Sequence, residues 1–270
     1  MRYINSRHLP RLVDLNTIKS AKAALFALDA ARKNDYIEEN AKLWSDLKRA
    51  LWTLGCGKCW YSEASLQEQE GHVEHFRPKR RLWGAVHLGY WWRAFDWGNL
   101  RLAHPTVNLR VTDYLTGKKA GKGSYFPLRH EERRADTEAE EINEEPVLLD
   151  PTNPQDCKLI CFDSNDGKPV PRYSETIDPW KHKRAEDSID YYHLDEGTWN
   201  YKRKDLMDEI AVLCDRIIEV AREVPLDNDR YHQLISEVLV YLEPFSEFTS
   251  AAFQIVREKG LLEHVYPMPT

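Results

Sequence analysis

No stretch of the 270-residue chain approaches the run of about 18 uninterrupted apolar residues that a membrane helix needs, so no membrane span is expected. The opening Met1-Arg2-Tyr3-Ile4-Asn5 lacks the apolar segment of a secretory signal, and classical export is not expected either. Cysteine is scarce: five residues, an odd number at uneven spacings, argue against a disulfide-stapled secreted scaffold and fit a reducing cytoplasm. What is present is ample length for a buried core, with 42% hydrophobic and 30% charged residues.

The formal net charge of −6 hides a split. From His72 to Arg134 there are 13 Lys+Arg against 5 Asp+Glu, while the flanks are acidic. A basic centre of this kind suits a phosphate-contacting surface, although an uneven solvated surface gives the same count. Charge alone does not decide between them.

Apolar spacing predicts a helix over 16–33, with Ile18, Ala21, Leu25 and Leu28 in register, and a second over 36–54 through Leu43, Leu47, Leu51 and Leu54. From Cys59 to Leu102 the mixed, aromatic-rich pattern predicts short strands and loops. Pro105 suits the first turn of a short helix carrying Asn108. The stretch 116–124 reads as an exposed, flexible basic loop, and 131–145 as an acidic surface segment. Leu206, Ile210, Leu213, Ile217 and Ala221 predict a helix ended by Pro225. Another follows from about Asp229, Pro244 interrupts, and Gly260 ends the last long helix. The expected fold class is α+β: a small irregular centre (55–160) between an N-terminal helical segment (1–54) and a mainly helical C-terminal region (161–270).

Chemistry concentrates in His72-Val-Glu-His-Phe-Arg-Pro-Lys79. Phosphodiester hydrolysis needs a base for water, a cation to stabilise charge on the phosphate, and further cations to hold the backbone. All these residue types lie within eight positions. In a strand Glu74 and His75 face opposite sides, so serving one site requires a strand end or a bend, which Pro78 supplies.

Around this segment stand Cys56-Gly-Lys-Cys59, Asp96-Trp-Gly-Asn99-Leu100, His104-Pro-Thr-Val-Asn108, Phe126-Pro-Leu128 and Glu145-Pro-Val-Leu-Leu-Asp-Pro151. This ordered set resembles the HNH endonucleases, specifically the PtuB-like nucleases of Septu-type and related retron-linked anti-phage systems. The likeness covers about residues 50–205. It implies a ββα-metal motif holding one divalent ion, Mg²⁺ or Mn²⁺, with Glu74 and Asn108 as ligands and His75 as general base. It implies that Asn99 fixes the loop through backbone hydrogen bonds, and that Arg77 and Lys79 clamp phosphate. The implied substrate is DNA, with structured RNA second, and the implied partner is a PtuA-like ATPase. The chain itself has no Gly-x-x-x-x-Gly-Lys-Ser/Thr loop.

Two departures from the family pattern stand out. Many HNH proteins carry two Cys-x-x-Cys pairs around a structural zinc; here Cys56 and Cys59 keep the first pair, while His104 and Val107 hold the second pair's positions. Cys56, Cys59 and His104 are therefore the candidate zinc ligands, with Cys157 or Cys161 as donors of a fourth. Val111 stands where the family often has a histidine or lysine, and Lys118, Lys119 and Lys122 are candidates for the missing charge. His72 is an additional candidate for a metal or phosphate contact. Trp91, Trp92, Phe95 and Trp97 suit either core or base-stacking roles, core being the commoner use. Packing is likewise the expected role of Tyr191–Arg203 and of Cys214. The alternative to an enzyme is an adaptor that binds nucleic acid or a partner without cleaving, or a zinc-stapled structural subunit.

Overall fold

The computed structural model describes residues 1–112, 117 and 119–265. Helices α1 (Asn16–Phe26), α2 (Ala30–Glu39), α3 (Lys42–Ser45) and α4 (Lys48–Leu54) open the chain. The expected helix over 16–33 is thus two helices. Asp29 takes an extended backbone (φ −63°, ψ 151°) and restarts the chain as the N-cap of α2, a position where aspartate is favoured over a helix interior. The helix expected over 36–54 is also divided. Asn40 ends α2, its side-chain amide donating to the Tyr36 carbonyl at 2.9 Å, a local bond that competes with helix continuation. The apolar stripe survives these breaks: Leu47 and Leu51 are buried, with Leu43 and Leu54 packed against the same core.

The centre is built on β1 (His72–His75) and β2 (Leu100–Ala103), which pair antiparallel with His72 opposite Ala103 and His75 opposite Leu100. One-turn α5 (Pro105–Asn108) follows β2 directly and packs back on β1. Pro105 sits in its first turn, where the missing N–H costs no bond, and His104 Nδ1 caps it by accepting the Thr106 N–H at 3.2 Å. Strands β3 (Val111–Thr112) and β4 (Lys119–Ala120) form a second antiparallel pair. The stretch expected to be a flexible loop therefore contributes a strand, and Lys122 just beyond it is buried. Thr116 and Lys118 lie outside the described residues.

A third pair, β5 (Ile160–Phe162) and β6 (Pro169–Pro171), leads into α6 (Pro179–Tyr191), α7 (Gly197–Val220), α8 (Asn228–Leu242), α9 (Thr249–Glu258) and α10 (Leu262–Val265). Helix α7 packs on α8 and α9 through Ile210, Leu213, Cys214 and Ile217. It ends at Val220, so Ala221 is an exposed cap instead of part of the expected apolar face, and Pro225 lies beyond the helix. Gly260 terminates the α9 segment with φ +73°, a conformation that glycine adopts without a Cβ clash. One continuous core draws residues from Met1 through Val265 and includes Phe95; a smaller cluster of Phe76, Leu82, Tyr90, Trp92, Phe126, Leu128 and Ala135 lies beside β1. Trp92 and Phe95 are buried, and Trp91 and Trp97 pack partly buried against the core. Within the Tyr191–Arg203 element, Tyr192, Leu194, Trp199 and Arg203 are buried as well, while Tyr201 is exposed. No helix among the described residues is long and apolar enough to cross a membrane.

Candidate active site

His75 ends β1 in a buried position between the strand and the turn Trp91–Arg93. Its Nε2 lies 2.9 Å from the Ala94 carbonyl oxygen. A carbonyl only accepts, so Nε2 carries the proton and Nδ1 keeps its lone pair. Lys79 Nζ stands 3.3 Å from that Nδ1, and the Trp44 ring meets the imidazole edge-on at 5.1 Å. Burial, reinforced by the Lys79 charge, holds the imidazole well below its ordinary pKa, so it is neutral at pH 7. A neutral, oriented imidazole is the state a general base requires, once the lysine that donates to its lone pair is displaced.

Glu74 precedes His75 in β1, and because His75 is the last residue of the strand the two share the charges of Lys79 and Lys122. Glu74 Oε2 accepts the Tyr61 hydroxyl at 2.7 Å. Its Oε1 accepts from the Lys122 ammonium at 2.6 Å in a buried ion pair. Lys122 also donates to the His75 carbonyl at 3.0 Å, so one ammonium touches the backbone of the base and the side chain of the acid beside it. Strand alternation puts His72 on the same face as Glu74. There the Asn108 amide nitrogen donates to His72 Nδ1 at 3.3 Å, which makes Oδ1 the acceptor end of that amide. Carboxylate and amide oxygens with a neighbouring imidazole are a donor set suited to a hard divalent ion completed by water and phosphate. No three His, Cys, Asp or Glu side chains gather as a metal-holding group among the described residues, so such an ion would lean on Asn108 and solvent.

The turn after β1 is locked from β2's side. Asn99 Oδ1 accepts the Arg77 N–H at 2.8 Å, and its Nδ2 donates to the carbonyls of Arg77 at 2.9 Å and Arg93 at 3.3 Å. The Arg77 guanidinium turns inward: Nη2 donates to Glu144 at 2.9 Å, and Nε lies 3.3 Å from Glu141. Arg77 is therefore held by internal acids, while Lys79 faces the base. The segment 131–145, expected at the surface, sends both of these acids into the interior, Glu141 also binding Arg93. Reading by composition missed this because acidic density signals solvent only where no buried cation stands opposite.

Tyr61, Ala94 and Trp44 belong to the site and carried no motif signal. Tyr61 is seated by Tyr192, with ring centroids 4.3 Å apart, and Tyr192 donates to the Leu149 carbonyl at 2.9 Å. Gly121-Lys122-Gly123 is the legible clue to Lys122. The Lys122 N–H bonds the Val107 carbonyl at 2.8 Å and the Gly123 N–H bonds that of Asn108 at 2.9 Å, closing the end of α5. A Cβ on Gly121, at φ +100°, would stand 1.8 Å from the Leu109 carbonyl oxygen. Gly121→Ala is expected to destabilise the protein by roughly 2–3 kcal/mol in chemical denaturation, since it combines strain with a backbone clash.

The donors expected for zinc have other partners. Arg2 Nη2 approaches Cys56 Sγ at 3.7 Å, Cys59 Sγ accepts the His104 backbone N–H at 3.3 Å, and the His104 ring caps α5 and meets Trp199. Cys157 and Cys161 contact the carbonyls of Pro151 and Val170, each at 3.6 Å. Burial pushes the Cys157 thiol up to about 12, away from the thiolate that zinc requires. No three of these side chains gather as a metal-holding group among the described residues, so the donor set is incomplete for zinc.

Among curated proteins the chain is similar to the Septu protein PtuB of Bacillus mycoides (strain KBAB4), at 30% identity over 148 residues. The alignment covers 51% of this chain and 47% of that protein, so the chain spans about half the length of the curated relative it matches. No known family profile matches the chain, and no solved structure matches it.

Proposed function

We propose that the protein is a divalent-metal-dependent endonuclease of the HNH type, the effector of an anti-phage defence complex controlled by an ATPase partner. The observation that carries this reading is the His75 imidazole, neutral and oriented by the Ala94 carbonyl, with a lone pair beside Lys79 and a carboxylate on the adjoining residue. The order of strand, strand and one-turn helix, with Glu74 on the first and Asn108 on the last, supports it. So does the similarity to the Septu protein PtuB, which brings in the defence role and the partner.

In this reading a phosphate entering the site draws Lys79 away from Nδ1, and the freed lone pair takes the proton of the attacking water. Glu74 and Asn108 would hold the divalent ion, Mg²⁺ or Mn²⁺, which stabilises charge on the phosphate and the leaving oxygen. Ala94 keeps the imidazole in one tautomer through the proton transfer. Contacts of this kind address phosphate and not base identity, so DNA is the first substrate and structured RNA the second.

The test is cleavage of supercoiled DNA, linear DNA and structured RNA with Mg²⁺, Mn²⁺ or chelator, with and without the ATPase. Metal-dependent cutting supports the reading; binding without cutting in every combination overturns it. An adaptor role is the second reading, favoured by the closed ion pair between Lys122 and Glu74.

Burial and the neighbouring Arg80 charge lower Lys79 to about 8. A lysine binds phosphate only when protonated, so substrate affinity is expected to hold below pH 8 and to weaken above it. KM measured from pH 7 to 9.5 checks this. A Lys79→Arg variant, which stays charged, is expected to flatten the rise.

A further inference from the structure

Lys122 is the most buried cation of the centre among the described residues, with 1% of its surface exposed. Its position is not a loose side chain's choice of partner. The Gly121-Lys122-Gly123 backbone is bonded onto the end of α5, and only a glycine at 121 fits against Leu109. The same segment therefore seats the helix that bears Asn108 and delivers an ammonium to Glu74 Oε1. With Oε2 taken by the Tyr61 hydroxyl, both oxygens of the carboxylate are occupied.

We propose that Lys122 is a tethered cation that closes the Glu74 carboxylate, so that a divalent ion gains this ligand only when the lysine leaves it. The inference rests on the metal-site reading above and adds a lock to it. A buried carboxylate without a counter-ion is strongly unfavourable, so the resting site keeps Lys122 in place. Displacing an ammonium of the same sign costs the incoming ion part of its affinity. A phosphate arriving at the same time offers the displaced ammonium a new anionic partner, which couples opening of the lock to substrate.

The test is Mn²⁺ titration of the full chain, by calorimetry and by the loss of the free-ion electron paramagnetic resonance signal, with no substrate present. Lys122→Met and Lys122→Gln are expected to bind one Mn²⁺ about tenfold more tightly than wild type. Lys122→Arg, which keeps the charge, is expected to bind no more tightly. Glu74→Gln is expected to lose the site. Because removing Lys122 leaves a buried carboxylate alone, Mn²⁺ is also expected to raise the melting temperature of Lys122→Gln more than that of wild type. Circular dichroism confirms that each variant is folded. Wild type binding Mn²⁺ through Glu74 as tightly as both neutral variants would overturn the lock and leave the metal site standing. No Mn²⁺ binding by wild type or either variant would overturn the lock and, together with cleavage that persists in chelator, the metal site too.

Discussion

His75→Ala is expected to lower the cleavage rate by about 10²–10⁴-fold while leaving nucleic-acid binding within a few-fold of wild type. The expectation follows from geometry. The imidazole donates one bond to a backbone carbonyl and accepts one from Lys79, so its loss removes a proton acceptor and little of the surface that meets phosphate. The ring is buried against Trp44, and its removal also costs stability, on the order of 1–2 kcal/mol for the lost hydrogen bond and contact. His75→Gln supplies the control, since it retains a donor for the Ala94 carbonyl but is a poor base. A rate equally depressed in both variants, with melting temperature largely restored in His75→Gln, separates chemistry from folding. Cleavage at the wild-type rate in either variant would remove His75 from the mechanism.

The largest effect on stability is expected at Glu144, which no motif reading singled out. Its carboxylate accepts from Arg77 at 2.9 Å, from the Tyr90 hydroxyl at 2.7 Å and from the Ala135 N–H at 2.9 Å. Glu144→Ala leaves a guanidinium, a phenol and an amide without this shared acceptor inside the protein. Breaking one side of a buried pair costs about 3–5 kcal/mol. In a chain of this size that corresponds to a fall in melting temperature of roughly 10 °C. Glu144→Gln, which keeps an acceptor oxygen, is expected to lose less. The network also bears on the site, because Arg77 is the residue whose backbone Asn99 clamps on both sides. A Glu144→Ala protein as stable as wild type in urea would show that Arg77 is held instead by Glu141 and by the rings of Tyr90 and Phe126, whose centroids lie 5.6 and 5.2 Å from its guanidinium.

The apolar face of the N-terminal helical stretch was legible, yet its division at Asp29 and Asn40 was not. Periodicity records which side of a helix is buried and passes unchanged through a break of one or two residues. The run Glu74-His75 by itself says little, since histidine has many structural uses; it gains weight only from the ordered elements around it, from Cys56 to Pro151. Sequence placed Pro105 at the start of a short helix and Asn108 within it, because proline's fixed φ and missing N–H make the first turn its natural position. It could not show that Arg77 turns inward, that Arg2 approaches Cys56 or that the His104 ring meets Trp199, because each depends on a partner distant in the chain.

By itself, then, the sequence determined the chemical kinds at the centre: an imidazole, a carboxylate, two amides and an excess of positive charge, with the helical and extended stretches that carry them. Such features are local, set by residue type and by spacing over a few positions. The tertiary structure alone decided which cation meets which acid. Lys122 reaches Glu74 across 48 positions of sequence and Arg77 reaches Glu144 across 67. A buried charge takes whichever opposite charge the fold brings within a few ångströms, since Coulombic attraction there is strong and water is not at hand to compete. No spacing rule encodes that choice.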